Sequence, residues 1–310
     1  MKKSILFGLA AVAVVVGGLT HRSSAGPVEL WVNNTSQQRW HRHALNPFNP
    51  TPFNTINFPN EADPFSITQG PDELMYLSNH QGYTEVHNPN LTPGSTLVYS
   101  YDLSPVNNNT GQNGVEIGPD GLLYAPDSNG ATSVIRKFNP ATGAFVQNFA
   151  SFSSSGNPQG LEFGPNGHLY VADTDDNEFL HFSPSGVLLN SVALTNARNP
   201  TFGPDGRLYA ANKNDGVVRA WELAGNGDLI NGADFITGEG NVRDIAFNPI
   251  DGHAFVVDVF NIVEYDANGS LIGTVSTDTP VRFSIYTTPE PASLALLGLG
   301  GLMLVRRRRA

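Results

Sequence analysis

The chain has 310 residues, a net charge of -11 at neutral pH and no cysteine. The lack of cysteine excludes disulfides and thiol chemistry, and the acidic balance argues against nucleic acid as a partner. Many of the basic residues lie in the two terminal segments, and the segment between them is therefore more acidic than the whole chain. The terminal basic residues are Lys2, Lys3, Arg22 and Arg306 to Arg309.

The N-terminus has the three parts of a secretory signal peptide. Lys2 and Lys3 are followed by an apolar run from Ile5 to Leu19, and small residues end at Ala25. This order predicts a signal peptide over residues 1–25 that is cleaved after Ala25. The mature chain is therefore expected to be exported.

A repeated motif, Gly-Pro-Asp/Asn-Gly-x-Leu-Tyr, predicts the architecture of residues 26–287. Three clear copies and two weaker ones begin at Gly118, Gly164, Gly203, Gly70 and Asn248. In chain order the steps between these starting residues are 48, 46, 39 and 45 residues. That spacing is typical of one four-stranded propeller blade, with the Pro and second Gly forming a tight turn between strands.

The two ends of this segment complete the ring. Leu30 to Thr35 matches Leu169 to Thr174 in register, so the mature chain begins at a second strand. Residues 280–286 form a first strand that has no blade of its own. We therefore predict an all-β, six-bladed β-propeller with 3+1 strand closure, which leaves no open sheet edge. A partial or seven-bladed ring is the alternative.

The repeats resemble the NHL family of propellers over roughly residues 60–275, through the phrases Leu169 to Thr174 and Phe138 to Gly143. A related likeness is to the SMP-30/gluconolactonase propellers and depends on Asn113 to Gly121. That family holds a divalent metal in its central channel. The resemblance implies at most a divalent cation, such as calcium, as a cofactor here.

Candidate metal ligands lie near the start of two first strands. Glu116 and Glu162 occupy the same position of neighbouring first strands, and Asn113 precedes Glu116. Paired carboxylates facing one channel could bind a cation or perform acid–base chemistry. The alternative is that these residues only give the strands a polar face.

Equivalent residues of the blades form two columns that are expected at one mouth of the channel. The first follows the second strand and contains only Asn or Asp: Asn34, Asn79, Asp127, Asp173, Asn212 and Asp258. These side chains either form a ring of oxygen ligands or bind the backbone of their own turns.

The second column, where the first strands begin, is chemically mixed: Phe65, Asn113, Gln159, Arg198, Arg243 and Phe283. Arginines, amides and aromatic rings together could hold a carboxylate or a sugar, so this column is the candidate ligand-binding mouth. Ordinary loop variation is the alternative. No catalytic residue is predicted, since no nucleophile elbow, P-loop or dinucleotide motif is present.

The C-terminal segment, residues 288–310, contains Pro289, Glu290 and Pro291, then about fourteen mostly apolar residues, then Arg306, Arg307, Arg308 and Arg309. A helix of that length spans ~21 Å, less than the ~30 Å hydrocarbon core, and the arginines favour the cytoplasmic side. The segment resembles the PEP-CTERM sorting signal of exopolysaccharide-producing bacteria. It implies a transmembrane sorting helix whose Pro-Glu-Pro triplet is recognised by an exosortase-type processing enzyme; a plain membrane anchor is the alternative.

Together these features predict an exported propeller of the cell surface or extracellular matrix, held at the inner membrane by its C-terminal helix until it is processed. We expect a binding protein rather than an enzyme, with exopolysaccharide or another surface protein as partner. The alternatives are a metal-dependent hydrolase or lactonase of SMP-30-like type, and a structural matrix component without a pocket.

Overall fold

The computed structural model describes residues 28–287 except for 35–37, 46, 50, 58–63, 80–81, 92–95, 104–113, 129–131, 153–155, 259 and 277–282. The predicted signal peptide with Ala25, the sorting tail with its transmembrane helix, and Asn113 lie outside the described residues. Within the described part of the chain, no helix is long and apolar enough to cross a membrane.

The described strands form six antiparallel sheets of four strands, which we number as blades I to VI. Blade I contains β1 (Val28–Asn34), β2 (Arg39–Ala44), β3 (Asn54–Asn57) and β24 (Phe283–Thr287). Blade II contains β4 (Pro64–Gln69), β5 (Met75–Asn79), β6 (Tyr83–His87) and β7 (Leu97–Asp102). Blade III contains β8 (Glu116–Ile117), β9 (Leu123–Ser128), β10 (Ser133–Phe138) and β11 (Phe145–Phe152). Blade IV contains β12 (Pro158–Phe163), β13 (Leu169–Asp173), β14 (Glu178–Phe182) and β15 (Leu188–Ala193). Blade V contains β16 (Ala197–Phe202), β17 (Leu208–Asn212), β18 (Val217–Leu223) and β19 (Leu229–Ile236). Blade VI contains β20 (Asp244–Phe247), β21 (Ala254–Asp258), β22 (Asn261–Tyr265) and β23 (Leu271–Ser276).

The predicted six-bladed propeller with 3+1 closure is confirmed. The C-terminal strand β24 pairs antiparallel with β1, and Trp31 lies opposite Ser284. Blade I is therefore built from both ends of the propeller segment, in the order β24-β1-β2-β3. Closure satisfies the backbone groups of β1 that would otherwise form an unpaired edge.

The repeated motif forms the turn between the first and second strands of blades II to VI. The Asp or Asn of the motif accepts a hydrogen bond from the backbone N–H two residues later, at 2.9–3.2 Å. The accepting residues are Asp72, Asp120, Asn166, Asp205 and Asp251. In blades II, III and V the motif Tyr also donates its hydroxyl to the turn carboxylate, as Tyr209 does to Asp205 at 2.8 Å. These bonds are formed within each turn and the strand that follows it.

The first glycine of the motif permits a close approach of that tyrosine. A Cβ on Gly118 would lie 2.3 Å from the Tyr124 ring, and one on Gly203 would lie 2.6 Å from the Tyr209 ring. The second glycine adopts a left-handed conformation, for example φ 79° at Gly206. Both glycines are therefore required, the first by packing and the second by backbone geometry.

Apolar side chains fill the space between neighbouring blades. Tyr170 and Phe179 of blade IV pack in one buried cluster with Ala210 and Trp221 of blade V. The fourth strands, by contrast, face solvent, as the exposed residues Leu188 and Leu271 show. The core therefore forms a ring around the axis, and the first strands line a central channel.

Candidate functional site

The two predicted columns lie at the same end of the channel. Asp173, at the end of β13, is opposite Pro158, and Asn212, at the end of β17, is opposite Ala197. First strands therefore begin where second strands end, next to Gln159 and Arg198. We call this end the upper mouth, and the end that carries the motif turns the lower mouth.

The Asn/Asp column supports the loops of the upper mouth. Asn79 Oδ1 accepts from the backbone N–H of Tyr83 at 2.9 Å, and Asp173 Oδ1 accepts from that of Asn157 at 3.0 Å. Asp258 Oδ1 accepts from the N–H of Asn241 at 3.1 Å. Asn212 likewise binds the Asp215 N–H, and Asp127 is paired with Arg136. These contacts agree with the alternative in which the side chains of the column bind loop backbone, and they do not form a ring of oxygen atoms around one ligand. The side chain of Asn34 lies outside the described residues.

The arginines of the mixed column face each other across neighbouring blades. The Arg198 guanidinium donates to Gln159 Oε1. Burial, with the positive charge of Arg243, lowers the pKa of Arg198 to about 10, and burial also lowers the pKa of Arg243. The Nε atoms of both arginines are buried, and neither has a hydrogen-bond partner in the described part of the chain. Two desolvated cations with spare donors are thus held close together.

Lys213 adds a third cation to this group and was missed by the sequence analysis. Burial lowers its pKa, and the charges of Arg198 and Arg243 lower it further. Lys213 directly follows Asn212 of the Asn/Asp column, so its position in the sequence could have placed it at the upper mouth. We call Arg198, Lys213 and Arg243 the cation cluster.

The remaining members of the mixed column contribute less to this group. Phe65 is buried, at 7% exposure. Phe283 begins β24, but its side chain, like the whole of Asn113, lies outside the described residues. The structure therefore brings together Gln159, Arg198 and Arg243.

Below the upper mouth lies a cavity of about 290 Å³, lined by the first strands of all six blades. Both Glu116 and Glu162 line it, and so does Asp244. Glu116 is opposite Tyr124 and Glu162 is opposite Tyr170, so the two carboxyls occupy one level of the channel.

The channel environment favours the protonated form of both glutamates. Burial raises the pKa of Glu116 to about 8, although a 2.9 Å hydrogen bond from the Thr68 hydroxyl works in the opposite direction. Burial also raises the pKa of Glu162, and the charges of Glu116 and Asp244 raise it further. A carboxyl that stays protonated near neutral pH is available as a general acid.

The candidate metal ligands do not form a complete site among the described residues. No group of three or more His, Cys, Asp or Glu side chains there has a geometry that could hold a metal ion. Glu116 and Glu162 share the channel, and the third candidate, Asn113, is not described. A cation at this pair stays a prediction.

Comparison with known proteins identifies the tail and the fold separately. Residues 287–309 match the PEP-CTERM protein-sorting motif. No curated protein matches the chain with significant similarity. Among solved structures, a protein of unknown function from Bacteroides caccae has 14% identity and a TM-score of 0.65, covering 84% of this chain and 99% of that one.

Two other similar structures carry names of enzymes. A protein from Bacteroides fragilis, provisionally named a 6-phosphogluconolactonase, has 19% identity, a TM-score of 0.58 and 85% coverage of each chain. An inactive variant of virginiamycin B lyase from Staphylococcus aureus has 15% identity and a TM-score of 0.52, covering 82% of this chain and 75% of that one. At these identities the likeness shows the fold alone. The chain is an exported six-bladed β-propeller whose C-terminal PEP-CTERM motif marks it for processing by an exosortase.

Proposed function

We propose that this exported propeller binds a carboxylate-bearing saccharide at its upper mouth. The observation that supports this function is the cation cluster. Arg198 and Arg243 are partly removed from solvent, and their buried Nε donors have no hydrogen-bond partner among the described residues. The carboxylates of Asp175 and Asp258 act on Arg198 and Arg243 only from a distance. A ligand carboxylate would supply the missing acceptor through forked hydrogen bonds.

The sorting motif supports a saccharide as the source of that carboxylate. PEP-CTERM sorting is characteristic of bacteria that produce exopolysaccharide, so a polysaccharide is an available partner at the surface. The cation cluster would select those of its sugars that carry a carboxylate. Gln159, held by Arg198, adds amide groups suited to sugar hydroxyls. We extend the proposal to a final location at the cell surface or in the matrix.

Binding of galacturonic acid oligomers to the processed protein tests this function, with neutral galactose oligomers of equal length as the comparison. We expect binding of the acidic oligomer alone, weakened at least tenfold in Arg198→Gln and Arg243→Gln. Arg207→Gln is the matched control, because Arg207 lies at the lower mouth and already pairs with Asp205. Equal affinity of Arg243→Gln and the parent protein would exclude the cation cluster.

A second candidate function is lactone hydrolysis in the channel, favoured by the raised pKa of Glu116 beside Glu162. It is tested by assaying a sugar lactone with and without calcium. Turnover that requires calcium and is lost in Glu116→Gln would support a metal-dependent hydrolase. Turnover that does not need calcium would exclude the metal-dependent mechanism. Turnover that is unchanged in Glu116→Gln, or absent in the parent protein, would exclude lactone hydrolysis at this carboxyl.

Processing fixes the boundaries of the mature protein. We expect a mature chain that begins after Ala25 and ends near Pro289 to Pro291, so that the propeller segment 26–287 stays intact. Intact-mass measurement of protein from its native cells tests this. A mass that includes Arg306 to Arg309 would instead indicate an unprocessed anchor.

A further inference from the structure

Two histidines of blade IV form an unusually close pair at the lower mouth, remote from the cation cluster. His168 follows the motif turn, and His181 lies on β14. Their nitrogens, His168 Nδ1 and His181 Nε2, are 2.6 Å apart, and the two rings are stacked with centroids 4.9 Å apart. At that distance the two nitrogens share a hydrogen bond, so an ion entering between them would replace the shared hydrogen, and His168 would keep its proton on Nε2.

Blade V supplies a carboxylate that orients this pair. Asp228, in the turn between β18 and β19, has its Oδ1 atom 3.1 Å from His181 Nδ1. Asn226 Nδ2 donates a 2.8 Å hydrogen bond to the other oxygen of this carboxylate, Oδ2, so Oδ1 is left to accept a hydrogen bond from His181 Nδ1. Nδ1 of His181 therefore carries the hydrogen, and its Nε2 lone pair is aimed at His168.

The His181 ring is fixed in this orientation by packing. It lies parallel to the Tyr170 ring, with a 3° interplanar angle and centroids 4.9 Å apart. Its side chain is only 3% exposed, while that of Asp228 is 29% exposed.

A glycine leaves the shared edge of the two rings uncovered. Gly227 has φ 87°, and a Cβ there would lie 2.8 Å from His168 Nδ1 and 3.0 Å from His181 Nε2. Any other residue would place a side chain against both nitrogens. His168 itself is half-buried, so its ring is not fully enclosed by packing.

We propose that His168 and His181, with Asp228 as the carboxylate behind His181, bind a divalent transition-metal ion such as zinc or copper. A carboxylate that receives the second ring N–H is the usual support of a metal-binding histidine. Two nitrogens bound at ~2.05 Å with a tetrahedral angle lie roughly 3.3 Å apart, so the rings need to separate by less than ~1 Å. Since no third His, Cys, Asp or Glu of the described residues converges there, water completes the coordination and the ion exchanges readily.

The site joins two blades, because Asp228 belongs to blade V and the histidines to blade IV. Metal binding is therefore expected to stabilise the propeller as well as to be detectable directly. Copper(II) is expected to bind more tightly than zinc, following the general order for nitrogen ligands.

Two measurements on the processed protein test the proposal. The first is calorimetric titration with zinc chloride and, separately, with copper(II) chloride. The second is the change in melting temperature when each metal is added. We expect one ion per chain and a higher melting temperature with metal. His168→Gln should abolish both effects, because it removes one of the two nitrogen ligands. The fold should survive, since His168 is half-buried and its replacement leaves the Tyr170–His181 stack in place. Asp228→Asn should weaken binding about 10- to 100-fold.

Two controls separate this site from other histidines. His253 holds the same motif position in blade VI, but its Nδ1 is 2.8 Å from Glu264 and not from a histidine. His41 and His43 form a looser pair, with ring centroids 6.4 Å apart. Binding should be unchanged in His253→Gln and His41→Gln. Binding that survives His168→Gln, or that disappears in His41→Gln, would overturn the proposal, as would the absence of any binding by the parent protein.

Discussion

The side-chain amide of Gln69 binds both backbone polar groups of Thr287. Gln69 Nε2 donates to the Thr287 carbonyl at 2.9 Å, and the Thr287 N–H donates to Gln69 Oε1 at 3.2 Å. Thr287 is the last residue of the closing strand and the first residue that matches the sorting motif. One side chain of blade II thus secures the point at which the propeller ends and the tail begins.

Gln69→Ala should therefore destabilise the closed ring. Two hydrogen bonds to the backbone are lost, and we expect the free energy of unfolding to fall by about 1–2 kcal/mol in urea denaturation. Gln147→Ala, on the exposed strand β11, is the control and should change stability by less than about 0.5 kcal/mol. Equal effects of the two substitutions would show that Gln69 does not secure the closure.

The cation cluster should cost the unliganded protein stability. Arg243→Gln removes the positive charge that faces Arg198 and Lys213, together with the attraction of Arg243 to Asp258. We expect its melting temperature to rise by about 2–4 °C, equivalent to ~1 kcal/mol for a domain of this size. The rise should be smaller at high salt, which screens the repulsion.

Arg207→Gln serves as the control for this substitution. It removes the same charge but also an ion pair with Asp205, and should leave stability unchanged or slightly lower. A lower melting temperature for Arg243→Gln at every salt concentration would mean that Arg243 contributes favourable contacts instead of repulsion.

The blade count, the ring closure and the shared level of Glu116 and Glu162 could be predicted from the sequence because each follows from the repeat. Once the motif fixes the register of one blade, equivalent residues of the next must occupy equivalent places. The role of Gln69 could not be predicted, since it depends on contact with a residue more than two hundred positions later.

The same reasoning explains what was missed around the channel and at the lower mouth. Lys213 and Asp244 carry charges to the upper mouth and the channel from positions that are not repeated in other blades. The contact between His168 and His181 depends on which rotamers the stacked rings adopt. The repeat predicts only the features that all blades share. The cation cluster and the histidine pair depend on residues that differ from blade to blade, so the repeat does not predict them.

The channel carboxyls should make stability depend on pH. Glu116 has a pKa of about 8 in the folded protein, above the ~4.3 expected when unfolded. The folded state therefore holds more protons between these values, and stability should fall as the pH rises through that window. Glu116→Gln should remove part of this fall and be more stable than the parent by more than about 1 kcal/mol at pH 8.5.

Urea denaturation at pH 5.5 and pH 8.5 measures this difference. Glu178→Gln is the control, because Glu178 lies on the third strand of blade IV, away from the channel. It should follow the pH dependence of the parent. If Glu116→Gln showed the same pH dependence as the parent, the carboxyl would not be held protonated in the channel.

Glu73 occupies the motif position at which the other turns have glycine, and it adopts the same left-handed conformation, with φ 64°. A side chain in that region costs roughly 1–2 kcal/mol, part of which is recovered because glycine is more flexible when unfolded. Glu73→Gly should therefore raise the free energy of unfolding by about 0.5–1 kcal/mol.

Gly206→Ala provides the reverse test, since φ is 79° there and an added Cβ would meet no atom within 4 Å. Its loss of about 1 kcal/mol, measured by urea denaturation, would arise from backbone strain alone. Opposite signs for the two substitutions are required if the turn, and not local packing, sets the preference for glycine.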